Sequence, residues 1–212
     1  MSADANATVL HWWWIRHAPT AGRGNLIHGI DDTPADLSDS KSLSRLAKLL
    51  PADALALTST IARAAQTYAA LRGFNPELAQ AQTDSDLDEQ DFGSWTGRSW
   101  DEIGPLAKKF WTDPIATAPP DGESYNAMCQ RVQRYVKART NVLQRGTLIT
   151  VAHAGPIRAA LALALNLSFP VSIRFEIDPL SLTRIDAIVG ESEVSWRVGA
   201  VNVRPRELGE NG

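Results

Sequence analysis

His11-Trp12-Trp13-Trp14-Ile15-Arg16-His17, running on into Ala18-Pro19-Thr20, is the stretch on which the fold turns. Trp12 to Ile15 form an unbroken apolar run with no polar alternation, the pattern of a strand covered on both faces, as in the middle of a parallel sheet. Consecutive strand residues point to opposite faces, so the three tryptophans read as core packing rather than as a stacking platform for bases. The run stops at Arg16 and His17. From Ala18 to Ala35 the chain holds Pro19, Gly22, Gly24, Gly29 and Pro34, so the strand empties into one long loop of the kind that is usually functional or disordered.

Outward from this strand, the elements alternate. Ser38 or Ser40 is placed to cap a helix through Leu43, Leu46, Leu49 and Leu50, which Pro51 stops. Ala54 to Thr58 reads as a second strand, and a helix capped by Ser59 or Thr60 runs from it to Leu71 before Gly73. A weaker strand signal spans Leu78 to Thr83, followed by a loop from Asp84 to Gly97. Ser99 to Trp111 reads as a helix with Ser99 and Glu102 as a capping box. After a second loop, Ala116 to Gly122, a long amphipathic helix is expected from Glu123 to Leu143, then the apolar strand Thr147 to Ala152. His153 ends that strand, Gly155 and Pro156 open a helix over Ile157 to Asn166, and three β-rich stretches are expected from Val171 to Val203. The order predicts an α/β fold, a three-layer sandwich with a mostly parallel central sheet and helices on both faces. One domain over 1–212 is expected, with residues 1–10 as a flexible tail.

Bulk composition narrows the function classes. Of 212 residues, 44% are hydrophobic and 21% charged, an ordinary globular balance. The formal net charge of -3 supplies no general positive field for nucleic acid or acidic lipid, so neither partner is expected. Any cation that meets an anionic ligand must be local. The one cysteine, Cys129, cannot form an internal disulfide, and Met1 to Thr8 lacks the basic start and apolar core of a signal peptide, so a cytoplasmic location without a membrane is expected. The oligomeric state is left open, with a homodimer admissible.

Three distant places share one arrangement: an apolar strand whose carboxyl end delivers a basic or polar residue into a loop or helix start. They are Arg16-His17, Ser59 with Arg63, and His153 before Gly155. Neighbouring parallel strands bring such ends to a common crevice, where helix N-termini direct spare N–H groups. Two Arg and two His there suit a tetrahedral dianion such as phosphate. A neutral imidazole can attack phosphorus and divide one hard displacement into two easier ones, and His17 is the better nucleophile candidate. A leaving alkoxide needs a proton donor, for which Glu89 in Leu87-Asp88-Glu89-Gln90-Asp91-Phe92-Gly93 is chosen.

The order of motifs resembles the histidine phosphatase superfamily, which includes phosphoglycerate mutases, and does so over most of the chain. The matching pieces are Arg16-His17-Ala18-Pro19-Thr20, Leu57-Thr58-Ser59 through Arg63-Ala64-Ala65-Gln66-Thr67, Glu89 with Phe92-Gly93-Ser94-Trp95-Thr96-Gly97, Pro120-Asp121-Gly122-Glu123-Ser124, and Val151-Ala152-His153-Ala154-Gly155 with Arg158. The resemblance implies a phosphoglycerate mutase-like fold and a phosphoric monoester hydrolase of histidine acid phosphatase type, with no metal and no organic cofactor. It implies His17 as the phosphorylated nucleophile, Arg16, Arg63 and His153 as the phosphate pocket, and Glu89, rather than Asp88, as the proton donor. Ala154, His28 and Asn25 are further candidates for substrate contact. Two departures stand out: Ala18 replaces the family's Gly, and the loop after Thr20 does not align cleanly with its Asn position. Gln90 occupies the place where the mutases carry Arg, which favours a phosphatase. Ile27-His28-Gly29, Trp95-Thr96-Gly97 and His153-Ala154-Gly155-Pro156-Ile157-Arg158 look most like α-ribazole phosphatases of cobalamin synthesis.

Each residue also has a plainer reading. His17 alone is more often a satisfied strand-end histidine, Arg63 a solvated helix residue, and Glu89 one member of an acidic loop with Asp84, Asp86, Asp88 and Asp91. Arg63 falls in a first helical turn, where a cation is disfavoured unless it meets an anion. Against the phosphatase stand a mutase-like phosphoryl transferase and a catalytically silent phosphate-binding protein, the latter hinted at by Ala18 alone.

Overall fold

The strand anticipated at His11 begins earlier and runs as β1, Thr8–Arg16. The computed structural model describes residues 6–22 and 24–205. Of the expected flexible tail 1–10, residues 1–5 lie outside the described residues, while Thr8 to Leu10 belong to the sheet. They pair with Val189, Ile188 and Ala187 of β5, Leu182–Val189.

Six strands form one sheet in the order β3-β2-β4-β1-β5-β6, with β2 Leu55–Thr58, β3 Ala81–Thr83, β4 Gly146–Ala152 and β6 Val194–Val203. β1 to β4 are mutually parallel, and β5 and β6 add an antiparallel edge. This bears out the expected α/β sandwich. Trp12 and Trp14, both fully buried and stacked with ring centroids 5.4 Å apart, face α5 (Tyr125–Leu143) and α6 (Ala154–Leu165). Ile15 and the partly buried Trp13 face the opposite layer, made by α1 (Ser40–Leu49) and α2 (Ala62–Phe74). Two cores therefore sandwich the sheet, and the tryptophan run serves both. Among the described residues no helix is long and apolar enough to cross a membrane.

Several local expectations are corrected. α1 is capped by Asp39, whose side chain accepts from Ser42 N, rather than by a serine. α2 begins after Ile61 without a side-chain cap, because the Ser59 and Thr60 hydroxyls are engaged elsewhere. The helix expected over Ser99 to Trp111 has its capping box but breaks into α3 (Trp100–Ile103) and α4 (Pro105–Thr112). Gly104 takes φ 63°, and Pro105 disfavours a helical residue before it and has no N–H to continue the first helix. Only two of the three β-rich stretches of the tail form strands. The first instead starts inside a short helix, α7 (Phe169–Ser172), which opens after Ser168 with Pro170 in its first turn.

A third, aromatic cluster stands beside the carboxyl ends of the parallel strands. Ile27 from the first long loop packs with Trp95, Ile103, Ala107 and Phe110, and Phe92 and Trp100 lie against them. Backbone bonds from Ile27 N to Arg98 O and from Gly97 N to Ile27 O tie that loop to the cluster.

Candidate active site

β1, β4 and β2 end side by side: Arg16 pairs with Ala152, and Thr58 with Val151. The next residue of each strand extends the ladder by one step, through His17 N to Ala152 O (2.9 Å) and Ser59 N to Val151 O (3.2 Å). The sheet thus sets His17, His153 and Ser59 in one row, which is how three remote segments meet.

His17 is 5% exposed, and its Nδ1 lies 2.5 Å from the Ala18 carbonyl oxygen. A carbonyl only accepts, so Nδ1 carries the proton and Nε2 keeps its lone pair. Arg63 Nε donates to that Nε2 at 3.3 Å. Burial, reinforced by the Arg16 and Arg63 charges, pushes the imidazole down to about 3. His17 is therefore a neutral base with one nitrogen locked and the other presented. Ala18 N donates to Thr67 Oγ1, which donates to Arg63 O, so one hydroxyl braces both the backbone beside His17 and that of Arg63. The extra methyl of Ala18 packs in the core beneath α1, and Ala18 is not among the residues with positive φ, so it fits where the family has glycine.

Arg63 is 1% exposed on the first turn of α2, as its spacing predicted, and its other nitrogens donate to Asp31 O (2.9 Å) and Gly29 O (2.6 Å) of the long loop. The Asp31 carboxylate lies 3.6 Å from Arg63 and also takes bonds from His28 and Thr33. Arg16 Nη1 donates to Ile177 O at 2.6 Å. The turn that supplies this carbonyl is clasped by Asn202, which accepts from Asp178 N and donates to Asp178 Oδ2. His153 is fully buried, shares a 2.7 Å hydrogen bond between Nε2 and Ser59 Oγ, and packs its ring 4.9 Å from that of His17. Burial, with His17, Arg63 and Arg16 nearby, holds it well below the ordinary histidine range.

Glu89 reaches the same place from a loop that is heavily tied down. Thr60 N and Oγ1 both donate to Asp88, and Arg131 of α5 donates to the carbonyls of Ser85, Asp86 and Asp88. Asp88 is thereby spent on anchoring, while Glu89 accepts from Gln90 N (3.0 Å) and from Gly155 N at the start of α6 (3.3 Å). A Cβ on Gly155 would collide with Glu89 Oε1, which explains a glycine there.

Arg16, His17, His28, Arg63 and Glu89 line one cavity of about 350 Å³. His153 stands directly behind His17, and Ala154, 8% exposed, opens α6 beside it. Asn25 is exposed and lies outside the cavity wall, to which its neighbours Gly24 and Leu26 contribute. Sequence reasoning missed Arg131, Asp31, Thr67 and the Asp178-Asn202 clasp. All of them act through backbone carbonyls or through residues remote in the chain, and such pairings leave no local signal.

With this geometry, residues 12–198 match the sequence profile of the histidine phosphatase superfamily (branch 1). The chain belongs to this superfamily. Over 106 residues, 47% of the chain, it is 33% identical to a bifunctional protein of Mycobacterium tuberculosis, of which that stretch covers only 28%. An uncharacterised protein of Mycobacterium bovis matches to the same extent. The fold is shared with a putative α-ribazole-5'-phosphate phosphatase of Escherichia coli (TM-score 0.78, 23% identity, 94% of this chain and 98% of that one). It is shared equally with a mycobacterial glucosyl-3-phosphoglycerate phosphatase (TM-score 0.78, 22% identity, 92% and 99%).

Proposed function

We propose that the protein is a metal-independent phosphatase that hydrolyses a small-molecule phosphomonoester through a phosphohistidine at His17. The observation that carries this reading is the locked imidazole: Nδ1 bound to the Ala18 carbonyl, with Nε2 facing Arg63 in a cavity that Arg16 also lines. Arg16 Nε and His28 Nε2, on residues that line this cavity, are buried without partners among the described residues, and a tetrahedral anion is a ligand that suits such atoms. His17 Nε2 attacks phosphorus, the ester P–O bond breaks, and protonated Glu89 passes its proton to the departing alkoxide. Water then attacks the phosphohistidine while the Glu89 carboxylate takes its proton, the N–P bond breaks, and phosphate leaves.

The mutase reading is disfavoured by Gln90. Its side chain is buried and donates to Glu123 O, so the position that carries Arg in mutases pins the acid loop instead of offering a charge. The fit of Ala18 likewise removes the one hint of a silent phosphate-binding protein. Among substrates, α-ribazole phosphate, and with it a cytoplasmic role in cobalamin synthesis, is supported by the His28 and Arg158 motifs and by likeness to the Escherichia coli protein. The equal likeness to the glucosyl-3-phosphoglycerate phosphatase makes both esters the first to assay. Purified protein is expected to release phosphate from a chromogenic ester with a chelator present and no bisphosphorylated primer. Absolute dependence on a divalent metal, or on the primer, would overturn the proposal.

A further inference from the structure

Beside the phosphate cavity lies a second one of similar size, about 350 Å³, and its chemistry is different. Phe92, Phe110, Trp111, Tyr125 and Ile173 form its walls, with Arg158 as its cation. Among the described residues, Glu89 alone lines both cavities. The group that would protonate a leaving oxygen therefore stands at the boundary between a cationic hollow and an aromatic one. A phosphomonoester with its phosphorus at His17 has its ester oxygen at Glu89, so its alcohol half projects past Glu89 into the second cavity.

The aromatic wall is set before any ligand arrives. Phe110 is 3% exposed and contacts Trp95, Trp100 and Trp111 at centroid distances of 5.4, 5.6 and 5.3 Å. Phe92 packs on Trp100 and Phe110, and Tyr125 is buried with its hydroxyl 3.2 Å from Ser172 Oγ. Arg158 is fixed by its Nε bond to Phe175 O at 2.8 Å, which leaves its outer nitrogens for an acceptor on a ligand. Apolar walls with one or two placed polar groups, at the small end of the roughly 300–1,000 Å³ range of such sites, suit a flat apolar group better than a polyol.

We infer that this second cavity receives the leaving group and selects phosphate esters of alcohols that carry a flat aromatic ring. The inference rests on the phosphatase reading for its orientation. Its test pairs 2-(1-naphthyl)ethyl phosphate with ethyl phosphate, both esters of primary alcohols with similar leaving-group basicity, so that chemistry is matched and binding differs. The expected ratio of kcat/KM is at least about tenfold in favour of the aromatic ester. Trp111→Ala, at a half-exposed position, should lower that ratio severalfold, and Trp111→Phe should restore most of it. Calorimetric binding of the corresponding phosphonates, which cannot turn over, should show the same preference. Phosphate release from both esters with a ratio near one, and equal phosphonate binding, would sink the subsite and leave the phosphatase reading standing. Preferential binding of the aromatic phosphonate without release from either ester would do the reverse.

Discussion

At the residue scale, the proposed mechanism divides its work between one nucleophile, His17, and one acid, Glu89. His17→Ala removes the atom to which the proposal assigns the phosphoryl bond, and no measurable phosphate release is expected. Glu89→Gln keeps the size of the side chain and loses the proton, so phosphate binding should persist while departure of a poor leaving group slows by about 10²-fold or more. Steady-state assays on alkyl phosphates read this difference, and full activity of the Gln variant would require another acid. The preference for Glu89 over Asp88, made from a motif, has a physical basis in the two Thr60 bonds that tie Asp88 down.

At the scale of elements, loops hold the chemistry and other segments hold the loops. Gly93 and Gly122 let the backbones of the acid loop and the 116–122 loop touch, since a Cβ on either would meet the other's main chain. Gly155 plays the corresponding part between α6 and Glu89. Its φ is not in the left-handed region, so alanine is conformationally acceptable in the helix, and the conflict is with two side-chain ends, the Glu89 carboxylate foremost and the Met128 methyl, which can shift. Gly155→Ala should therefore leave the urea midpoint nearly unchanged while costing activity on a scale approaching Glu89→Gln. A large loss of stability with proportionate loss of activity would contradict this account. The split of the predicted Ser99 to Trp111 helix belongs here too: periodicity carried across Gly104-Pro105, but backbone sterics did not.

For the whole molecule, two buried neutral histidines make stability depend on pH. The folded pKa of His17, about 3, lies below the unfolded value near 6.5, and His153 is displaced in the same direction. Above pH 6.5 neither state binds the proton and the contribution to stability is complete. As pH falls below 6.5 the unfolded chain takes up protons that the folded one refuses, so stability is lost progressively down to about pH 3. For His17 the loss between pH 7.5 and pH 5 is roughly 2 kcal/mol, and His153 adds to it in the same direction. Urea unfolding at pH 7.5 and pH 5 should show it, with His17→Ala less sensitive to acid than the wild type. Equal acid sensitivity in the two proteins would mean that His17 is not held neutral.

Much of this architecture was legible in the chain alone. Apolar runs such as Trp12 to Ile15 and Leu148 to Ala152 carry their burial in composition, and the basic residues closing them mark strand ends whatever the rest of the fold does. What tertiary structure decided were the partnerships: Ser59 turned from helix cap to the support of His153, Asn202 clasping the turn that holds Arg16, Arg131 gathering the carbonyls of the acid loop, and an aromatic hollow completed by α4, α5 and the residues after α7. These depend on distances between segments separated by tens of residues. Local propensity encodes the strand and the helix, whereas only the closed sheet determines which ends stand next to one another.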